Sequence, residues 1–85
     1  MNPTVEQIAA GITAFFSTPE MLPANGYTVT AEYSGRGYWE VTIYTPVGVV
    51  FQSYRVAVDV KDGKLELTHH AYRAPIGTVE IPAAA

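Results

Sequence analysis

The apolar residues of this chain change their spacing once, and that change constrains the fold more than any other feature. Before residue 18 they recur every three or four positions, which is the period of a helix with one buried face. After residue 26 they alternate with polar residues, which is the period of a strand with one buried face. A chain of 85 residues, 48% of them hydrophobic and 15% charged, is expected to form one domain spanning residues 1–85. One helix ahead of several strands predicts the α+β class.

The first predicted element is a helix over about residues 5–17. Thr4 and Gln7 have the spacing of a capping box, in which each side chain satisfies a backbone N–H of the other residue. One apolar stripe follows, formed by Val5, Ile8, Ala9, Ile12, Phe15 and Phe16. Gly11 lies inside the helix at a cost of about 1 kcal/mol relative to alanine. That cost is consistent with a close approach to a strand and equally with plain tolerance.

Four strands are predicted, over about residues 27–33, 38–44, 49–60 and 64–73. The third run changes its phase of alternation, which predicts a β-bulge near Gln52 and Ser53. Asp62-Gly63 is the strongest hairpin signal, because a type I′ turn needs positive φ at both central residues. The segment from Thr78 to Ile81 is a candidate for a short edge strand. Residues 82–85 are expected to fray.

Short turns between the runs predict a four-stranded antiparallel meander with the N-terminal helix packed on one face. The other face has no helix left to cover it. Tyrosine beside a few charged residues is a composition common in protein interfaces, although strand propensity alone favours tyrosine and threonine on a solvated face. The candidate partner-binding residues on this face are Tyr38, Glu40, Tyr44, Arg55, Glu66, His70 and Tyr72.

The middle of the chain contains three stretches with a recognisable pattern. They are Gly26-Tyr27-Thr28-Val29, then Tyr38-Trp39-Glu40-Val41-Thr42-Ile43, and the run from Tyr54 to Leu65 with its Val-Asp and Asp62-Gly63. This pattern resembles that of the PepSY domain. The resemblance implies a small helix-on-sheet module that associates with or inhibits peptidases. The layout is also similar to that of cystatins, but the Gln-x-Val-x-Gly loop is absent, since Gln52 is followed by Ser-Tyr-Arg-Val. No inhibitory residue is carried over from either family.

Several chemistries are not expected from this sequence. The chain has no cysteine, which excludes a disulfide, a thiolate metal site and a cysteine nucleophile. Its five basic residues are scattered and its net charge is −3, so nucleic acid is not an expected partner. His69 and His70 are adjacent on a strand and point to opposite faces, so they do not form a metal pair. Glu32 and Glu40 are possible cross-strand neighbours, interpreted as solvated strand residues. No cofactor, metal or membrane span is expected, and the expected location is the cytoplasm.

Two functions of different classes are compatible with these residues. The leading hypothesis is a non-enzymatic protein-binding module, an inhibitor or regulator of a larger protein, of the kind that a phage or mobile element uses against a host enzyme. It would use the exposed face or a sheet edge, and an edge or face could also join two copies as a homodimer. The alternative is a small-ligand carrier or enzyme with a pocket between the helix and a curved sheet. That pocket would lie near Trp39, Phe51, Tyr54 and His69.

Overall fold

A computed structural model describes residues 2–17 and 26–83 of the chain. The elements in chain order are α1 (Val5–Phe16), β1 (Thr28–Tyr33), β2 (Trp39–Tyr44), β3 (Val50–Lys61), β4 (Lys64–His69) and β5 (Pro75–Glu80). The five strands form one antiparallel sheet in the order β1-β2-β3-β4-β5. The α+β class is therefore confirmed, with the helix packed on one face of an antiparallel sheet. The connection between residues 17 and 26 lies outside the described residues.

The prediction of four strands is wrong, because the sheet has five. The C-terminal candidate edge strand is longer than Thr78 to Ile81 and begins at Pro75, so β5 pairs with β4 from Lys64 to Thr68. β4 in turn ends at His69 rather than at residue 73. Residues 70–74 form the turn between them, which is closed by hydrogen bonds from the His69 N–H to the Ala74 carbonyl and from the Arg73 N–H to the His69 carbonyl.

β3 is twice as long as the strands beside it, with 12 residues against 6 in β2 and 6 in β4. Its first half pairs with β2 down to Val56, which lies opposite Trp39. Its second half pairs with β4 from that same Val56, which also lies opposite His69. Two three-stranded halves of the sheet are thus offset along the strand that they share. As a consequence, the turns before β2 and after β4 both lie beside the middle of β3.

The helix begins as its sequence predicts. Thr4 and Gln7 form both hydrogen bonds of the capping box. Gly11 is needed for a close approach: a Cβ at this position would lie 2.6 Å from Leu65 Cδ1 and 3.3 Å from Pro82 Cδ. Pro82, expected to fray, is held instead, because its carbonyl accepts a hydrogen bond of 2.9 Å from the Gln7 side chain. The helix therefore also fixes the chain that follows β5.

The core lies between α1 and the sheet. Its fully or almost fully buried side chains are Ile12, Phe16, Trp39, Val41, Ile43, Val56, Leu65 and Leu67. These come from the predicted apolar stripe and from one phase of alternation in each central strand. Val5, in the first turn of the helix, is an exception, since 61% of its surface is exposed. Asp62 and Gly63 have φ of 55° and 75°, as the type I′ turn requires.

Candidate binding surface

The face of the sheet opposite α1, here called the open face, is organised in rows by the strand register. One row crosses the sheet at the middle of β3: Glu32 lies opposite Glu40, and Glu40 lies opposite Arg55. His70 extends the row, because its N–H donates to the Arg55 carbonyl at 2.9 Å. Side chains of paired residues in an antiparallel sheet lie on one face about 5 Å apart. Two carboxylates, a guanidinium and an imidazole therefore line up across four neighbouring segments.

Tyr38 lies beside this row and contacts two of its members, Arg55 and His70. Its ring centroid is 4.6 Å from that of His70, with the planes inclined by 36°. Arg55 Cζ lies 5.4 Å from the centroid of the same Tyr38 ring, within the distance of a cation–π contact. Tyr38 is half-buried, whereas Arg55 and His70 are exposed. We call Tyr38, Glu40, Arg55 and His70 the open-face cluster.

A tight turn before β2 positions Tyr38. Ser34 makes two bonds to the Tyr38 carbonyl, one from its N–H at 3.1 Å and one from its hydroxyl at 2.7 Å. The Gly37 N–H donates to the Tyr33 hydroxyl. Gly35 and Gly37 have φ of 80° and 86°, a backbone conformation that glycine adopts without a steric cost. The Ser-Gly-Arg-Gly segment is therefore folded back on itself, and Tyr38 leaves it in a fixed direction.

His70 is positioned by the turn after β4. Besides the bond from the His70 N–H to Arg55, this turn contains the two bonds that join His69 to Ala74 and Arg73. Arg73 has a φ of 52°, which a residue other than glycine rarely adopts. The turn thus closes tightly enough to bring the backbone of His70 beside Arg55 of β3. The sequence correctly places His69 and His70 on opposite faces, since His69 points to the helix side and lies 6.2 Å from Tyr54, ring to ring.

The row contains a pair of negative charges that neighbouring basic side chains neutralise only in part. Glu32 and Glu40 are directly opposite each other on β1 and β2, and both are exposed. Like charges in this position destabilise an antiparallel pair. Farther along the open face a similar acidic pair, Asp59 with Glu66, lies next to the basic pair Lys61 with Lys64. Glu40 has Arg55 as its basic cross-strand neighbour, but that guanidinium contacts the ring of Tyr38.

The structure separates the other three predicted binding residues from the cluster. Tyr44 lies on the open face opposite Thr28 and Val50, at the far end of β2. Glu66 lies near the opposite end, across from Asp59. The expected position of Tyr72 on the open face is wrong, because Tyr72 lies in the turn after β4, where its ring centroid is 6.4 Å from that of His69. The prediction fails because it extends the alternation beyond the residue at which the strand ends.

Aromatic side chains occupy part of the predicted pocket region between helix and sheet. Phe16 stacks on Tyr54 with a centroid distance of 5.2 Å. Trp39 is 5% exposed and contacts Tyr33 at 5.5 Å. Phe51 lies against Tyr27 at 5.3 Å, edge to face. A cleft of about 370 Å³ nevertheless lies beside Tyr54 and His69, lined also by Arg55 and Tyr72. The hypothesis of a carrier or enzyme therefore stays a prediction.

The sequence-based set of binding residues leaves out two features of this surface. Glu32 lies opposite Glu40, as the alternation allows, but is absent from that set. The second feature is an apolar tip before and at the start of β3. The tip consists of Val47, Val49, Val50 and Phe51, which are 84%, 59%, 56% and 45% exposed. Its signal in the sequence is the lack of any charged residue between Glu40 and Arg55, which by itself indicates only strand propensity.

Comparison with family models, curated proteins and solved structures finds no match for this chain. The resemblances to PepSY domains and cystatins are neither confirmed nor contradicted and stay predictions. No helix within residues 2–17 or 26–83 has the length and hydropathy needed to cross a bilayer. The same described residues contain no group of three His, Asp or Glu side chains placed to hold a metal ion.

Proposed function

We propose that this protein is a non-enzymatic binding module that holds another protein on its open face and acts as its inhibitor or regulator. The observation that carries the proposal is the contact of Tyr38 with both Arg55 and His70. Tyrosine and arginine are enriched among the residues that dominate interface energies. Because their mutual contacts already restrict these side chains, little rotamer entropy would be lost when a partner binds.

The charges of the row specify what the partner presents. Glu32 and Glu40 form a pair of exposed carboxylates that an arginine or lysine of the partner would neutralise. Arg55 and His70, at the other end of the row, favour an acidic or carbonyl group. A partner that satisfies both ends has a basic and an acidic group separated by about two strand spacings, or roughly 10 Å. Such a pattern supplies specificity and orientation more than affinity.

Substitution of the cluster tests the proposal. Wild-type protein and single variants are immobilised at equal density, and captured proteins are quantified by mass spectrometry. We expect Tyr38→Ser and Arg55→Ser each to weaken capture of the same partner about 30-fold, which corresponds to loss of a residue worth about 2 kcal/mol. Tyr72→Ser is the matched control, because Tyr72 is an exposed tyrosine outside the open-face cluster.

The outcomes separate the open face from other surfaces. Capture that survives Tyr38→Ser and Arg55→Ser in variants with a wild-type melting temperature would overturn the proposal. Loss of capture with Tyr72→Ser alone would move the interface to the turn after β4. Once the captured protein is identified, its activity is assayed with and without the module. This assay decides between an inhibitor and a regulator.

A further inference from the structure

A cleft of about 370 Å³ lies between β3 and the turn that follows β4. Residues 53–55 and 69–72 line it. The cleft begins where the two strands cease to pair, because β4 ends at His69, opposite Val56. Its volume lies within the range of sites that bind small molecules. The chemistry of its lining therefore indicates what kind of molecule it can hold.

The open-face side of the cleft carries hydrogen-bond donors and a positive charge. Arg55 is exposed, and its guanidinium forms no salt bridge with a carboxylate of the described residues. The His70 N–H donates to the Arg55 carbonyl at 2.9 Å. The Arg55 N–H points to the same side of the strand as that carbonyl, but it has no backbone acceptor among the described residues. An anion in the cleft can therefore accept from both the backbone and the side chain of Arg55.

The helix side of the cleft is aromatic. The ring centroid of His69 lies 6.2 Å from that of Tyr54 and 6.4 Å from that of Tyr72. Tyr54 is held in place by its stacking on Phe16 of α1. Tyr54 and His69 are half-buried, whereas Tyr72 is 81% exposed. A planar ring bound here would cover the face of Tyr72 and gain aromatic contact area.

We propose that this cleft binds a small planar aromatic carboxylate, with the carboxylate at Arg55 and the ring against His69 and Tyr72. A guanidinium binds a carboxylate through two parallel hydrogen bonds. Arg55 is the one lining side chain that is charged at every pH near neutrality, and no lining residue is acidic. A single fixed charge matches a monoanionic carboxylate better than a dianionic phosphate. The site does not depend on a protein partner at the open face.

Titration of the isotope-labelled full chain with 2-naphthoate, followed through its backbone amide NMR signals, tests the site. We expect a Kd of about 1 mM, which is typical of a small ligand in an open cleft, with the largest shifts at the Arg55 and His70 amides. 2-Naphthamide keeps the rings without the charge, and cyclohexanecarboxylate keeps the charge without the rings. Each is expected to bind at least about fivefold more weakly than 2-naphthoate.

Variants with a wild-type circular dichroism melt assign the two halves of the site. Arg55→Gln is expected to raise the Kd for 2-naphthoate about tenfold and Tyr72→Ser about fivefold. Arg36→Gln is the matched control and should leave the Kd unchanged, since Arg36 is an exposed arginine that does not line the cleft. Equal binding of 2-naphthamide and 2-naphthoate would overturn the proposal. So would an unchanged Kd in Arg55→Gln, or the absence of shifts at Arg55 and His70 at about 10 mM 2-naphthoate.

Discussion

The ring of Phe15 in α1 lies directly against the backbone of Gly77 in β5. A Cβ added to Gly77 would come within 2.8 Å of Phe15 Cε1 and 2.9 Å of Cζ, closer than van der Waals contact permits. The pairing register puts Gly77 opposite Leu67, on the face that packs against the helix. The absence of a side chain at Gly77 is thus what allows Phe15 to reach the sheet.

Gly77→Ala is expected to destabilise the fold by about 1 to 3 kcal/mol, the usual cost of an overpacked contact. Urea unfolding followed by circular dichroism measures the change. Phe15→Leu removes the ring atoms that the new methyl group would meet, so the penalty for Gly77→Ala should shrink in the Phe15→Leu background. Equal penalties in both backgrounds would show that the Phe15 ring does not limit the space at Gly77.

The turn between β3 and β4 gives a second stability prediction. Gly63 has a φ of 75°, and a Cβ at this position would meet no atom within 4 Å, so Gly63→Ala tests backbone strain without a steric clash. We expect a loss of about 1 to 2 kcal/mol, the cost of the left-handed conformation for a residue with a side chain. Asp62→Asn is the control and should be nearly neutral, because asparagine tolerates a positive φ. A neutral Gly63→Ala would contradict the type I′ assignment.

Removal of one carboxylate from the row should stabilise the free protein and weaken partner binding. Glu32→Gln relieves the repulsion with Glu40, and we expect a gain of up to about 1 kcal/mol in the free energy of unfolding. The gain should fall as salt is added, since these carboxylates are exposed. Glu40→Gln added to Glu32→Gln should bring no further gain, because the pair is already broken and Glu40 then faces only Arg55. Destabilisation by Glu32→Gln would show that Glu32 makes a favourable contact in the free protein.

The side chain of Gln7 links the start of the helix to the chain after β5. Its two hydrogen bonds can be tested separately. Its Oε1 accepts from the Thr4 N–H and its Nε2 donates to the Pro82 carbonyl. Gln7→Glu keeps the acceptor for Thr4 but loses the donor for Pro82. We expect faster hydrogen exchange at Ile81 and Ala83 in Gln7→Glu, with exchange in the helix unchanged. Thr4→Ala should instead speed hydrogen exchange in the helix and leave exchange at Ile81 and Ala83 unchanged. It should lower the free energy of unfolding by about 1 kcal/mol.

The sequence predicts those parts of the fold that depend on local periodicity. The capping box at Thr4, the Asp62-Gly63 turn and the buried phases of the central strands each depend on a few neighbouring residues, and the structure contains all of them. The length of the fifth strand is underestimated because Pro75 and Gly77 are unfavourable in strands, and only the Phe15 ring explains the glycine. Local preference is overridden there by packing.

The candidate site can be predicted only in part. Alternation, which is a local property, assigns Tyr38, Glu40, Arg55 and His70 to one face. Their proximity depends on the offset of β3, which places two turns beside its middle. That offset follows from where β2 and β4 end, and alternation extends β4 to residue 73 rather than to His69. The same error puts Tyr72 on the open face.

Site-specific photo-crosslinking is the most direct test of the claim that the open face holds a partner. A photoreactive residue at Thr30, exposed on β1 in the row next to Glu32, is compared with one at Ala14, exposed on the outer side of α1. We predict that the captured protein is crosslinked from Thr30 and not from Ala14, and that Tyr38→Ser reduces the yield. Crosslinking from Ala14 in place of Thr30 would contradict the claim.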